Sequence, residues 1–172
     1  GVTFVYVTHD QSEALTMSDR VAVFNEGVIQ QIDAVDRLYE TPANRFVAGF
    51  VGDNSVLDAR VIQNDGETCE VQLADGTHLH GVNVNHAQVG DTVQCSVRPE
   101  RIAVVDAGHT AGNRVTATIS DVIYFGDHLR LRCHVAGQAL ATAKLPLAAG
   151  EQPMAGQPVW LHVPVPYLRL YA

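Results

Sequence analysis

The first candidate for chemistry in this sequence is a histidine at the end of an apolar run. Val2–Val7 is continuously apolar, β-branched and aromatic, and it stops at a polar Thr8, His9 and Asp10. A strand buried on both faces of a parallel sheet has this composition. Ligands of open α/β sheets bind beyond the carboxyl ends of the strands. His9 therefore lies where a ligand-contacting residue is expected.

A second group of histidines lies further along the chain. His78 and His80 are two residues apart on a predicted strand, so they share one face, and His86 follows closely. Together they are a conceivable metal site, but no residues that would orient such ligands can be named. A polar face of a β barrel is the preferred interpretation, and we expect no metal site.

The remaining candidate functional residues lie in two turn motifs. Arg98–Glu100 follows an apolar run, and Pro99 cannot donate to a strand ladder, so it ends a strand or starts a tight turn. The charged side chains of Arg98 and Glu100 are expected to brace the structure, with a ligand site as the alternative. Tyr124–Asp127 has the composition of a hairpin turn. We expect its aromatic residues in the barrel core, with an effector pocket as the alternative.

The elements around His9 follow a helical period. Asp10 and Glu13 have the spacing of a capping box, which predicts a helix through Met17. Two apolar runs joined by a turn predict a hairpin, Asp33 is expected to cap a second short helix, and Pro42 to open a third that ends at Gly52. The hairpin strands are expected at Arg20–Phe24 and Val28–Ile32.

After about residue 53 the period changes from helical to alternating. Short β runs separated by Gly and Asp turns are typical of an antiparallel barrel or sandwich. The predicted strands are Val56–Ile62, Glu70–Leu73, His78–Val84, Thr92–Val97, Arg114–Ile123, His128–Val135, Ala139–Lys144, Pro158–Val163 and Leu168–Tyr171. We therefore predict a small α+β region at residues 1–52 and a β domain at residues 53–172. The similar lengths of 54–105 and 113–172 suggest two related small barrels.

Composition narrows the class of protein. The chain has 172 residues and a formal net charge of −8, with 11 scattered Lys and Arg, which argues against a nucleic-acid partner. No run approaches the ~20 apolar residues that span a bilayer. Cys69, Cys95 and Cys133 are far apart, so we expect free, buried thiols in a reducing compartment.

The order of these motifs resembles a known family. Tyr6–Arg20 is similar to the H-switch segment of the ATP-binding subunits of ABC importers. Gly27–Gln30 and Leu38–Gly52 resemble the end of that ATPase domain. Ser96–Ile102 and Tyr124–Asp127 resemble the regulatory TOBE domain of the same subunits, an OB-type barrel. The resemblance thus implies an ATPase-domain remnant at residues 1–52 and a TOBE domain at residues 53–172.

The resemblance implies a role for His9 in an intact subunit, where it would contact the γ-phosphate of ATP, with Mg as the second cofactor. A neutral imidazole both donates and accepts a hydrogen bond, so it can bridge a phosphate and a water. Asp10 is expected mainly to cap its helix and alternatively to face the opposing subunit. Tyr6, Gln11 and Glu13 are expected to be structural.

The sequence lacks the phosphate-binding loop G-x-x-x-x-G-K-[ST] and the other ATPase motifs. We therefore expect the C-terminal portion of a longer subunit, without cofactors or catalysis of its own. The resemblance is strongest to polyamine (spermidine/putrescine) importers, and iron, sugar and sulfate importers share the architecture.

The implied partners are a second copy of the subunit, membrane permease subunits, and a regulator or solute at the β domain. The implied location is the cytoplasmic face of the bacterial inner membrane. A stand-alone OB-type module that binds a small molecule or oxyanion is the alternative, and an autonomous ATPase is disfavoured. The unpaired run Val2–Val7 is expected to be disordered, refolded or exchanged with a second copy in a dimer.

Overall fold

The computed structural model describes residues 1–147 and 153–172. The chain divides into two compact units, Gly1–Gly52 and Asp53–Ala172. The first is a small α+β unit and the second is antiparallel β with a closed barrel, so the fold is mainly β, as predicted. No helix in the described part of the chain is long and apolar enough to cross a bilayer.

The first unit contains a hairpin and short helices. Its elements are α1 (Gln11–Met17), β1 (Arg20–Asn25), β2 (Val28–Ala34), α2 (Val35–Glu40) and α3 (Arg45–Phe50). The two strands pair antiparallel, as predicted. Glu26 and Gly27 both have positive φ, of 50° and 77°, which suits a two-residue hairpin turn. The core of this unit is small: Val23, Leu38, Val47 and Val51.

Two of the three predicted helix starts are wrong. Strand β2 continues to Ala34 because Ala34 pairs with Arg20, so α2 begins at Val35 and Asp33 does not cap it. The Asp33 carboxylate accepts instead from the Ala34 amide, at 2.9 Å. Asn44, rather than the Thr41-Pro42 pair, opens α3, because its side chain accepts from the amide of Val47.

Residues Val2–Val7 do not form the strand that their composition suggests. They have no regular secondary structure, and the side chains of Phe4, Val5 and Val7 are 88 to 90% exposed. A strand requires a neighbour to satisfy its backbone, and nothing in the described chain pairs with this segment.

The second unit contains the remaining strands. They are β3 (Ser55–Asn64), β4 (Thr68–Gln72), β5 (His78–Asn83), β6 (Thr92–Val97), β7 (Ala103–Val105), β8 (Asn113–Tyr124), β9 (His128–Val135), β10 (Gln138–Pro146), β11 (Pro158–Val163) and β12 (Arg169–Tyr171). Short 3₁₀ helices lie at Pro99–Arg101 and Val165–Tyr167. Every predicted strand has an observed counterpart within a few residues, whereas β7 was not predicted.

These strands form two sheets, and the last strand of each half of the domain pairs with strands of the other half. Strands β12, β5, β4, β3 and β6 form a closed barrel, and the second sheet has the order β10-β9-β8-β11-β7. Strand β7 ends the first half of the domain but pairs with β11, while β12 ends the second half but pairs with β5 and β6. The two halves are therefore not separate barrels, because each completes the sheet of the other.

One hydrophobic core joins both sheets of the second unit. It includes Val71 and Leu79 from the barrel, Leu131 and Leu161 from the other sheet, and Leu170 from the exchanged strand. The alternation of buried and exposed residues along the strands produces this single inner face, as in β9. Because the two sheets share this core, the pairing of β7 and β12 with the sheet of the other half is stable.

The three cysteines are free and buried in this core, as predicted. Burial raises the pKa of Cys95 to about 12 and that of Cys133 to about 11, and it also raises the pKa of Cys69. A thiol is reactive only as the thiolate. These side chains therefore act as small apolar groups.

Candidate functional site

His9 lies in a short turn immediately before α1. We call residues 8–10 the His9 turn. The imidazole is exposed, and no hydrogen-bond partner for it exists among the residues that the structure describes. It is therefore accessible to a ligand.

Asp10 caps α1, as predicted. Its Oδ1 accepts hydrogen bonds from the amides of Ser12 and Glu13, at 2.8 and 3.1 Å, and its carbonyl accepts from the amide of Ala14 at 3.1 Å. The free amides at a helix N-terminus are the groups that bind anions. Because the Asp10 carboxylate occupies two of them, an anion at this turn would be contacted through the His9 side chain.

Glu13 does not complete the predicted capping box. Its Oε2 accepts from the hydroxyls of Thr8, at 2.9 Å, and Tyr6, at 3.2 Å. The amide of Asp10, which Glu13 would bind in a capping box, donates instead to Thr8 Oγ1 at 3.0 Å. Sequence reasoning missed Thr8, although Ser and Thr hydroxyls commonly bind the backbone two residues on.

The His9 turn fits one contact to a phosphate and little more. His9 is the only nitrogen-bearing side chain in the turn, which also carries the Asp10 carboxylate and accommodates the Glu13 carboxylate at Thr8. Two carboxylates repel a triphosphate unless a cation or other donors balance them. A shallow groove beside α1 is lined by residues without charged side chains, including Leu15, Val23 and Leu38. Through Leu15, α1 packs against the small core of the first unit.

His78, the first of the three histidines considered as a metal site, is hydrogen-bonded to neighbouring side chains of its own sheet. His78 Nδ1 is 2.8 Å from Glu70 Oε1, and its Nε2 is 3.0 Å from the amide nitrogen of Gln72. Both ring nitrogens are thus occupied within the exposed face of β4 and β5. Across residues 1–147 and 153–172 no group of three or more His, Cys, Asp or Glu side chains could hold a metal ion. The arrangement agrees with the interpretation of a polar barrel face.

Arg98 is a structural brace, as expected. Its side chain is buried, and Nη1 donates to the carbonyl of Asp53 at 3.0 Å. Pro99 opens the 3₁₀ helix that follows β6. This contact attaches the start of the domain to the barrel.

The Tyr124–Asp127 segment is a hairpin turn, as predicted, but its aromatic side chains are not in the core. Phe125 is half exposed and stacks on His128, with ring centroids 5.1 Å apart, while the Arg130 guanidinium lies 4.5 Å from its ring centre. The amide of Phe125 donates to the carbonyl of His128, which closes the turn and leaves the ring at the surface.

Electrostatic contacts surround this turn. Asp127 Oδ1 is 2.6 Å from His128 Nδ1, and the hydrogen bond lowers the pKa of the Asp127 carboxyl. Arg130 is paired with Asp53 at 2.6 Å. Sequence reasoning missed His128 and Arg130, although their spacing of two residues on β9 puts them on one face.

A third cluster lies where β8 and β11 meet. His109 and His162 have ring centroids 4.6 Å apart. Arg114 lies 4.2 Å from the ring centre of Trp160 and donates to the carbonyls of Ala107 and His109. Burial and the nearby charge of His109 lower the pKa of His162. The cluster holds the loop before β8 against the sheet.

Comparison with known proteins identifies the relatives of this chain. Residues 95–169 match the family model of the TOBE domain. The chain is 48% identical over 128 residues to the spermidine/putrescine import ATP-binding protein PotA of Rubrobacter xylanophilus, covering 73% of this chain and 33% of the relative. It is 36% identical over 163 residues to PotA 1 of Pseudomonas aeruginosa, covering 95% of this chain and 44% of the relative.

The chain thus spans less than half the length of these relatives, and it matches their C-terminal part. Among solved structures, the cytoplasmic molybdate-binding protein ModG, with molybdate bound, has the same fold. The TM-score is 0.57 at 15% identity, over 68% of this chain and 94% of that one. The chain is thus similar to the C-terminal part of spermidine/putrescine import ATP-binding proteins, and its residues 95–169 match the TOBE domain.

Proposed function

We propose that this chain is the C-terminal part of the ATP-hydrolysing subunit of a polyamine importer. In this proposal residues 1–52 belong to the ATPase domain, and residues 53–172 are a regulatory and dimerisation domain. The observation that carries it is the alignment over 95% of the chain with a relative named for spermidine/putrescine import. Importers of iron, sugar or sulfate are the alternative substrate classes.

His9 is the residue proposed to contact the nucleotide. ATP with Mg would supply the phosphoryl group and the metal charge that phosphoryl transfer requires. The exposed imidazole of His9 would then donate a hydrogen bond to the γ-phosphate or orient a water. The hydrogen bonds at the turn support this role. The Asp10 carboxylate accepts from two helix amides, which leaves the His9 side chain as the available donor. The chain alone is proposed to be catalytically inactive.

The proposed partners follow from the same relationship. A second copy of the subunit would form the dimer, membrane permease subunits would carry the solute, and a regulator or solute would act at the β domain. The proposed location is the cytoplasmic face of the bacterial inner membrane. The negative net charge makes a nucleic-acid partner a poor alternative.

The test is transport by the full-length subunit together with its permeases in vesicles. Uptake of labelled spermidine driven by ATP is expected to fall strongly in His9→Ala, because a hydrogen bond to a charged group contributes about 1.5–3 kcal/mol. His86→Ala, an exposed histidine in the β domain, is the matched control. Uptake of sugar or sulfate in place of polyamine would contradict the substrate class, and full activity of His9→Ala would contradict the role of His9.

A stand-alone oxyanion-binding module is the second candidate, and the fold shared with ModG favours it. Calorimetry of the 172-residue chain with molybdate, sulfate, spermidine and Mg-ATP separates the two proposals. Micromolar binding of an oxyanion would support the module. Absence of binding by all four would favour a domain that acts only within the larger subunit.

A further inference from the structure

We propose that Glu13 is a positioning residue for His9, acting through Thr8. The proposal rests on the proposed function of His9 as the contact to nucleotide phosphate. It goes beyond that function because it assigns a role to a carboxylate that the capping-box pattern would place elsewhere. Three hydrogen bonds around the His9 turn support the proposal.

Glu13 is linked by hydrogen bonds to the segment that precedes His9. Glu13 Oε2 accepts from Thr8 Oγ1 at 2.9 Å and from the Tyr6 hydroxyl at 3.2 Å. Both donors precede His9 in the chain, whereas Glu13 follows it on α1. The carboxylate therefore ties the segment that enters the turn to the helix that leaves it.

The Thr8 hydroxyl also binds the backbone on the other side of His9. Once its hydroxyl hydrogen is donated to Glu13, the lone pairs of Thr8 Oγ1 point away from the carboxylate. One of them accepts the amide hydrogen of Asp10, at 3.0 Å. The peptide unit that follows His9 is thereby held by the Thr8 side chain, whose orientation Glu13 sets.

The consequence of these links concerns His9. Its own side chain has no bond partner among the described residues, so only its backbone fixes where the imidazole points. Effective catalysis needs reacting groups to be placed within fractions of an ångström, and a displacement of about 1 Å can cost about a hundredfold in rate. Releasing Glu13 would loosen the turn without removing any group that touches the nucleotide.

The first experiment measures the turn in the 172-residue chain by amide hydrogen exchange with NMR. In Glu13→Ala the Asp10 amide is expected to exchange about two to ten times faster, the change produced by losing one ordinary hydrogen bond. The amides of Ser12 and Glu13 should keep their protection, because Asp10 still caps them. A general loss of protection along α1 would overturn the proposal, since Glu13 would then be only a helix-stabilising residue.

Conservative variants separate positioning from charge. Glu13→Gln keeps an oxygen acceptor for Thr8 and should restore slow exchange at Asp10, and Thr8→Ser should do the same because it keeps the hydroxyl. Thr8→Val should behave like Glu13→Ala. Glu26→Ala, which removes a carboxylate from the exposed hairpin turn, should leave the Asp10 amide unchanged. Fast exchange in Glu13→Gln together with slow exchange in Thr8→Val would contradict the proposed link.

The second experiment measures ATP turnover by the full-length subunit. Glu13→Ala is expected to lower kcat between about tenfold and a hundredfold with little change in KM, and Glu13→Gln should recover most of it. If His9→Ala is inactive and Glu13→Ala is fully active, the positioning role is wrong and the function of His9 stands. If His9→Ala is fully active, the proposed function itself fails, whatever Glu13 does.

Discussion

The two units of this chain differ in how they are stabilised. Residues 53–172 bury one continuous core that joins a barrel and a second sheet. Residues 1–52 bury a core of four side chains and leave large apolar residues such as Phe4, Phe24 and Ile29 exposed. Burial of apolar surface is the main favourable term in folding. The comparison predicts a β domain that is stable by itself and a first unit that depends on further contacts.

The largest expected effect is a loss of stability of the β domain when one of its core side chains is shortened. Leu170→Ala should destabilise the β domain by about 2–5 kcal/mol, because Leu170 is fully buried in the exchanged strand β12. The single tryptophan, Trp160, lies in this domain, so its fluorescence during urea unfolding reports on the domain alone. Leu38→Ala, the matched change in the first unit, should leave that transition where it is. An equal shift in both variants would mean that the units unfold together.

A second change tests how closely β12 approaches the barrel. A Cβ at Gly81 would lie 2.7 Å from the carbonyl oxygen of Leu168, a backbone atom that cannot rotate away. Gly81→Ala should therefore cost about 1–3 kcal/mol in the Trp160 transition. Gly108→Ala is the control, because a Cβ there meets nothing within 4 Å. A wild-type midpoint for Gly81→Ala would show that β12 can shift without loss.

The first unit should respond to a smaller change that leaves the β domain untouched. Asp10→Ala removes the cap of α1 and should cost that helix about 0.5–2 kcal/mol, while Asp10→Asn should retain most of it. The measurement is the exchange rate of the Ser12 and Glu13 amides, alongside an unchanged Trp160 transition. Unaltered exchange in Asp10→Ala would mean that the cap is not what orders α1.

The smallest expected effect is a pH dependence confined to the β domain. The pKa of His162 is lowered in the folded state by burial and by His109, so the unfolded chain binds the proton more readily. Stability should therefore be full above the ordinary histidine pKa of about 6.5 and decline as the pH falls from there through the lower folded value. His162→Gln should flatten this dependence in circular-dichroism urea titrations at pH 7.5 and 5.5. A steeper dependence in His162→Gln would reverse the sign of this prediction.

Most of the β fold could be predicted because alternation along a strand reports burial directly. Strands β6 and β9 begin and end where their patterns do. Strand β7 has three residues, which is too short for a period to be visible, and its exposed residues do not alternate. The exchange of β7 and β12 could not be predicted, since a pattern gives the face of a strand but not its partner.

The candidate site was predictable in part. The cap at Asp10 follows from local spacing, so its prediction held. The partner of Glu13 was missed because two acceptors compete for the Asp10 amide, and the nearer Thr8 hydroxyl takes it. Tyr124 and Phe125 were placed in the core on hydrophobicity alone, whereas the tight turn at Gly126 puts both rings outside.

The mutual completion of the two sheets has a consequence for biosynthesis. The barrel needs Arg169–Tyr171 beside His78–Asn83 and Thr92–Val97, so the strands made earlier have open edges until residues 169–171 emerge from the ribosome. Pairing at such long separation is slow and leaves edges exposed to aggregation. Nascent chains should therefore depend on chaperones until strand β12 has emerged and paired.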